Sequence, residues 1–261
     1  GIRVGFYLGR MEPCANCATS LDSAYCPACG QKRHKPGIRL VEVVHEFFGT
    51  ITHAEGPFLQ TLLGFFRGPG AMTRAYIAGK RKAFVPPVRY FIVGIGYYYL
   101  IRFFFNWDPV DSAMDAAGAE RTVETGVLRV NHWMSQHVNL LLPILILVLS
   151  TFDRVLFPRT KLSWVERYVH YLFAAGTYLI VATTLLPLSI LWPAMQILNF
   201  LVIFGIIIWA CISVHGGGAW TSIKAVVMVP VSFVLYVMLC TVLVALMLGV
   251  PLSEMVVRQA P

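Results

Sequence analysis

Five apolar runs, nearly free of charge and each about as long as a bilayer is thick, constrain this chain more than anything else in it. They lie at 88–107, 138–157, 168–191, 194–214 and 225–250. A hydrocarbon core of about 30 Å takes roughly 20 apolar residues as a helix, and only helices or closed barrels satisfy their own backbone there. A 57% hydrophobic content and a mean hydropathy of +0.67 exclude an ordinary soluble domain. The predicted fold class is an all-α membrane protein. It has about five transmembrane helices, preceded by a small zinc ribbon and interfacial amphipathic helices. The stretch from Tyr168 to Val214 is too long for one crossing, and Trp192-Pro193 within it reads as the turn of a helical hairpin.

Charge sets the expected orientation. Of 21 Lys and Arg, twelve fall in residues 1–89, against five Asp and Glu there. Arg154, Arg159, Lys161, Arg167 and Lys224 fall on the same side, whereas the 107–136 loop carries Asp108, Asp111, Asp115, Glu120 and Glu124. Cytoplasmic loops retain cations, so the N-terminus is expected inside a bacterial inner membrane and the C-terminus outside. No secretory signal is expected, because a polar, cysteine-rich segment occupies residues 1–40, and Met11 reads as a start.

That segment, 11–36, holds Cys14-Ala-Asn-Cys17 and Cys26-Pro-Ala-Cys29. Both thiolates of a C-x-x-C turn can reach one tetrahedral ion, and two such turns close a four-sulfur shell. Cys14, Cys17, Cys26 and Cys29 are therefore the expected ligands of a structural zinc with no open position for water. Disulfides or redox pairs are the alternative, and the reducing cytoplasm argues against them. A segment this short needs such a staple to fold.

Lys32, Arg33 and Lys35 follow the ribbon, and Lys80, Arg81 and Lys82 precede the first run. They read as contacts to membrane lipids or to a cytoplasmic protein partner, in preference to nucleic acid. Residues 37–87 are apolar but too interrupted to cross and read as an amphipathic interfacial region. His45, Glu46, His53 and Glu55 lie there as a speculative second metal or catalytic site, although polar decoration of an amphipathic helix explains them as well. His132 and His137 do not share a helical face cleanly. Within the runs the ionisable residues Arg102, Asp153 and Arg154 sit near the ends, so no polar constellation of the kind a proton pump needs is expected. His170 and Asn199 read as interhelical hydrogen-bond partners, Cys211 and Cys240 as buried small hydrophobes, and His215-Gly216-Gly217-Gly218 as a flexible turn.

A string of residues also carries a resemblance. It comprises Cys14-x-Asn16-Cys17, Tyr25-Cys26-Pro27-x-Cys29-Gly30-Gln31, Glu55-Gly56-x-Phe58-x-x-Thr61-Leu62 and Gly68-Pro69-Gly70. Tyr76-Ile77-x-Gly79-Lys80-Arg81-x-x-Phe84-Val85-x-Pro87 completes it. In this the chain resembles a bacterial integral membrane family of unknown function with an N-terminal four-cysteine zinc ribbon. Ala18 departs from the glycine expected after Cys17. The resemblance implies the architecture and no catalytic residues. The expected function is a zinc-ribbon docking or scaffold module anchored by a helical bundle, more an interaction protein than an enzyme. A transporter or channel for a small or lipidic substrate, and an interfacial enzyme using the His45 and His53 region, are the alternatives.

Overall fold

The computed structural model of the chain describes residues 13–21, 23–31, 55–106, 126–191 and 196–251. Among these the fold is all-α. Two short helices, α1 (Glu55–Arg67) and α2 (Pro69–Ile77), lead to α3 (Pro87–Phe105). The 11-residue α4 (Gly126–Gln136) precedes α5 (Val138–Leu156), α6 (Trp164–Leu191), α7 (Gln196–Val214) and α8 (Ala219–Leu248). Four of them, α3, α5, α6 and α8, are long and apolar enough to cross a membrane; the apolar stretch of α7, Leu201–Val214, is shorter. The Trp192-Pro193 turn lies outside the described residues.

The helix ends have local causes. Pro69 and Pro87 open α2 and α3 at the first turn, where a missing N–H costs nothing. Ser163 and Glu166 form a reciprocal box at the start of α6. The Ser163 N–H donates to Glu166 Oε2 at 2.7 Å, and the Glu166 N–H donates to Ser163 Oγ at 3.3 Å. This cap starts α6 at Trp164, four residues before the apolar run. Its 28 residues rise about 42 Å, more than the roughly 30 Å of a hydrocarbon core. Asn106 and Gly249, both left-handed, close α3 and α8.

Lipid tails are as apolar as leucine, so helices in a membrane associate through close packing and polar contacts. The most extensive seam joins α3 to α6. A Cβ on Gly176 would stand 2.6 Å from the Tyr90 ring, and one on Gly94 would stand 3.1 Å from Leu179 Cβ. The Tyr90 hydroxyl is fixed against Thr177 Oγ1 at 3.1 Å. Tyr76, Phe65, Tyr90 and Phe173 fill the space beneath this seam. The helix α2 is tucked under the bundle against α6 and α7. Gly70 lies so near α7 that a Cβ there would be 2.3 Å from Ser213 O.

The helix α4 was not among the apolar runs, because Arg129, Asn131 and His132 interrupt it. It forms by burying Val130, with Trp133 and Met134 beside it, against Val244, Ala245 and Val250. His132 and His137 take separate partners, the Gln136 amide and the Trp133 carbonyl.

Overpacking a full seam costs about 1–3 kcal/mol. Gly176→Ala is therefore expected to lower unfolding stability in detergent by about that amount, read by thermal or SDS unfolding. Gly96→Ala, whose Cβ meets nothing within 4 Å, is expected to leave it unchanged.

Candidate metal centre

The two cysteine pairs fold as two copies of one turn. In the first, the Cys14 N–H donates to Thr19 O and the Ala18 N–H to Cys14 O, both at 2.8 Å. In the second, the Cys26 N–H donates to Gln31 O and the Gly30 N–H to Cys26 O, again at 2.8 Å. The residue after the second cysteine is left-handed in each, with φ of 62° at Ala18 and 66° at Gly30. Glycine adopts this conformation without penalty, whereas alanine pays roughly 1–2 kcal/mol. Ala18 is thus a strained member of an otherwise matched pair. A single antiparallel bridge, Pro13 to Ser20, closes the first turn.

These turns aim all four sulfurs at one point. Cys14 Sγ lies 3.7 Å from Cys29 Sγ, and Cys17 Sγ lies 3.5 Å from Cys26 Sγ. Metal–sulfur bonds of about 2.3 Å set the edge of a tetrahedral shell at roughly 3.8 Å, so the spacing fits one ion. The four cysteines are free of disulfides. Among the described residues only Leu21 adds to the buried apolar cluster around them, which is too little to hold these turns by itself.

The metal-free sulfurs do not ionise alike. The Thr19 hydroxyl and N–H lower the Cys17 thiol to about 6, and the Cys17 and Asn16 amides lower that of Cys14. At Cys26 the Cys29 N–H pulls the same way, but burial and the neighbouring sulfurs push the thiol up to about 11. Crowding makes each further thiolate costly, and a divalent cation in the centre removes that cost.

Of the remaining expected site residues, Lys80, Arg81 and Lys82 are among those described. Lys80 and Lys82 are exposed on the turn after α2, and Arg81 stacks over Tyr76 with its guanidinium carbon 5.5 Å from the ring centre. Lys82 Nζ donates to Cys29 O. Lys32, Arg33, Lys35, His45, Glu46 and His53 lie outside the described residues. Glu55 begins α1, and its side chain lies outside them too.

A second constellation, not among the expected site residues, forms at the helix ends. Asp153, Arg167 and His215 come from the ends of α5, α6 and α7 and meet beneath α2. Asp153 and Arg167 are 1% and 2% exposed, and Nη1 of Arg167 pairs with Asp153 Oδ1. The other donors of the guanidinium reach Leu162 O, Asp153 O, Phe157 O and Thr160 O at 2.9–3.2 Å. All five N–H groups are thereby engaged. Asp153 Oδ2 accepts from the Tyr171 hydroxyl at 2.6 Å and from His215 Nε2 at 2.9 Å. His215 Nδ1 then accepts from the Thr160 hydroxyl at 2.6 Å, and the ring stacks on Phe157 with centroids 4.0 Å apart.

His215 is accordingly pinned and does not belong to a loose turn; the glycines after it, all at positive φ, make the chain reversal. Cys211 is buried beside this group, close enough to Asp153 and His215 to be a third ligand of an ion. The Arg167 pairing already occupies Asp153, and the arrangement works as a latch on the 157–163 loop. His170 is an interhelical partner as expected. Its Nε2 faces Ala210 O at 3.0 Å as donor, and its Nδ1 then accepts from the Thr73 hydroxyl at 2.8 Å, joining α2, α6 and α7. Asn199 differs, because its Oδ1 has no partner among the described residues.

The family model described as "Protein of unknown function (DUF3667)" matches residues 55–98. That segment runs from α1 through α2 and the Gly79–Lys82 turn into α3, and it stops short of the cysteines. No curated protein and no solved structure matches the chain.

Removing one partner of a buried ion pair costs about 3–5 kcal/mol, far more than replacing both. Arg167→Met is expected to destabilise the bundle by about that much. Arg167→Met with Asp153→Leu should recover most of the loss, as read by unfolding of the purified proteins in detergent.

Proposed function

We propose that the chain is an integral membrane protein whose N-terminal segment is a structural zinc ribbon serving as a docking surface, with the helical bundle as its anchor. The observation that carries this reading is the four-sulfur shell. Its donor set and spacing suit zinc, and with every position taken by protein it leaves no site for water or substrate. Loop charge supports a cytoplasmic ribbon at a bacterial inner membrane. Tyr25, 58% exposed between the two cysteine pairs, gives the ribbon an aromatic contact for a protein partner. Lys80 and Arg81, and the cations Lys32, Arg33 and Lys35 that follow the second cysteine pair in sequence, suit anionic lipid headgroups.

Metal analysis of the purified full chain should find one zinc per chain, falling to near zero in Cys14→Ser/Cys26→Ser. A photo-crosslinker at position 25 in intact cells should trap a discrete protein, and the adduct should vanish in that double variant. Adducts to lipid alone, with the zinc content intact, would overturn the docking role.

One observation favours a transport path as a second reading. Asn139, Thr183, Asn199 and Ser232, on four different helices, each bury a polar atom that has no partner among the described residues. Polar atoms inside hydrocarbon commonly line hydrated routes or receive substrate. Proteoliposomes that show no flux across a panel of small polar and lipidic solutes would remove this reading.

A further inference from the structure

The second cysteine turn does not end at its own hydrogen bonds. Gln31, the residue that closes it, is only 8% exposed, and its side chain reaches across 48 positions of sequence. Its Nε2 donates to Gly79 O, and its Oε1 accepts from the Lys82 N–H at 3.2 Å. One amide thus brackets the Gly79–Lys82 turn at both ends. The Lys82 ammonium returns the contact on Cys29 O. A glycine on each surface makes room for the side chain opposite it. Gly79, at φ 105°, would place a Cβ 3.0 Å from Ala15 Cβ, and Gly30 would place one 3.0 Å from Lys82 Nζ. The first cysteine turn therefore seats on Gly79 and the second on Lys82.

We infer that the Gly79–Lys82 turn completes the metal centre, with Gln31 as its clamp and Lys82 as its outer cation, so that filling the four-sulfur shell and seating the ribbon on the turn are one equilibrium. The inference rests on the zinc reading above and goes beyond it. A divalent ion held by four thiolates carries a net double negative charge, and an ammonium on a ligand's own carbonyl favours that filled state. Without the ion, crowded sulfurs and a minimal apolar cluster cannot hold Cys26 and Cys29 together, and Cys29 O and Gln31 lose their positions with them. The turn then loses all three bonds. It leads within a few residues to Pro86-Pro87 and the start of α3, so metal occupancy bears on how the chain enters its first long apolar helix.

Lys80, Arg81 and Lys82 are three consecutive trypsin sites, and the turn reports its own seating. The full chain in nanodiscs is digested zinc-loaded, chelator-stripped and zinc-restored, and cleavage within 80–82 is followed by mass spectrometry. Stripping is expected to speed that cleavage at least about tenfold and zinc to reverse it, with cleavage after Arg159 and Lys161 as the internal control. Lys82→Met, with helix content checked by circular dichroism, is expected to keep one site per chain, by the cobalt–thiolate absorption, while weakening Co²⁺ and Zn²⁺ affinity about tenfold, in the range of outer-shell losses. Equal cleavage of loaded and stripped protein overturns the inference while leaving the zinc site standing, as does unchanged affinity in Lys82→Met. Absence of bound zinc or cobalt in the unaltered chain overturns the zinc reading itself.

Discussion

Within hydrocarbon the hydrophobic effect no longer distinguishes a neighbouring helix from a lipid chain, and the bundle depends on how closely two backbones can approach. The crossing of α3 and α6 at Gly94 and Gly176 supplies that approach. With no side chain at Gly176, the Tyr90 ring lies directly on α6 and its hydroxyl finds Thr177. From this seam α6 is positioned to receive α5, α7 and the wedge of α1 and α2. Gly70 repeats the device where α2 meets the end of α7.

At the end of the bundle beneath α2 the connecting logic is polar. One guanidinium closes the α5–α6 loop by answering four carbonyls and a carboxylate, and the carboxylate in turn collects Tyr171 and His215. The Thr73–His170–Ala210 chain attaches α2 to the same region. Above it, the cysteine turns meet the Gly79–Lys82 segment. Among the described residues, the 55–98 stretch therefore touches both the cysteine turns and the rest of the bundle.

The long helices were legible because hydrocarbon imposes length and apolarity directly on sequence, and the cysteine centre because C-x-x-C spacing encodes geometry within one turn. What failed to show has equally physical reasons. Counting apolar residues stops at charges, yet Arg167 and Lys224 sit inside α6 and α8, their side chains absorbed by the carbonyls of Leu162 and Leu156 among others. The helices therefore start earlier than the runs. Asp153, Arg167 and His215 come from three separate helix ends, each unremarkable alone, and only the packing brings them together. Gln31 could be read as a residue following a knuckle, but its partner lies 48 positions away and no local pattern signals it. In the opposite sense, α4 shows an apolar face too narrow for a count of long runs to register.

The saturation of Arg167 also has an electrical consequence. A voltage across a membrane does work only on charge that can be displaced along the field, about 2.3 kcal/mol per elementary charge per 100 mV. Arg167 and Asp153 cancel one another within a single pair, and the guanidinium is tethered to carbonyls of the loop it closes, so neither charge can travel without dismantling that loop. The buried pair at the end of α5 and α6 is therefore electrically silent.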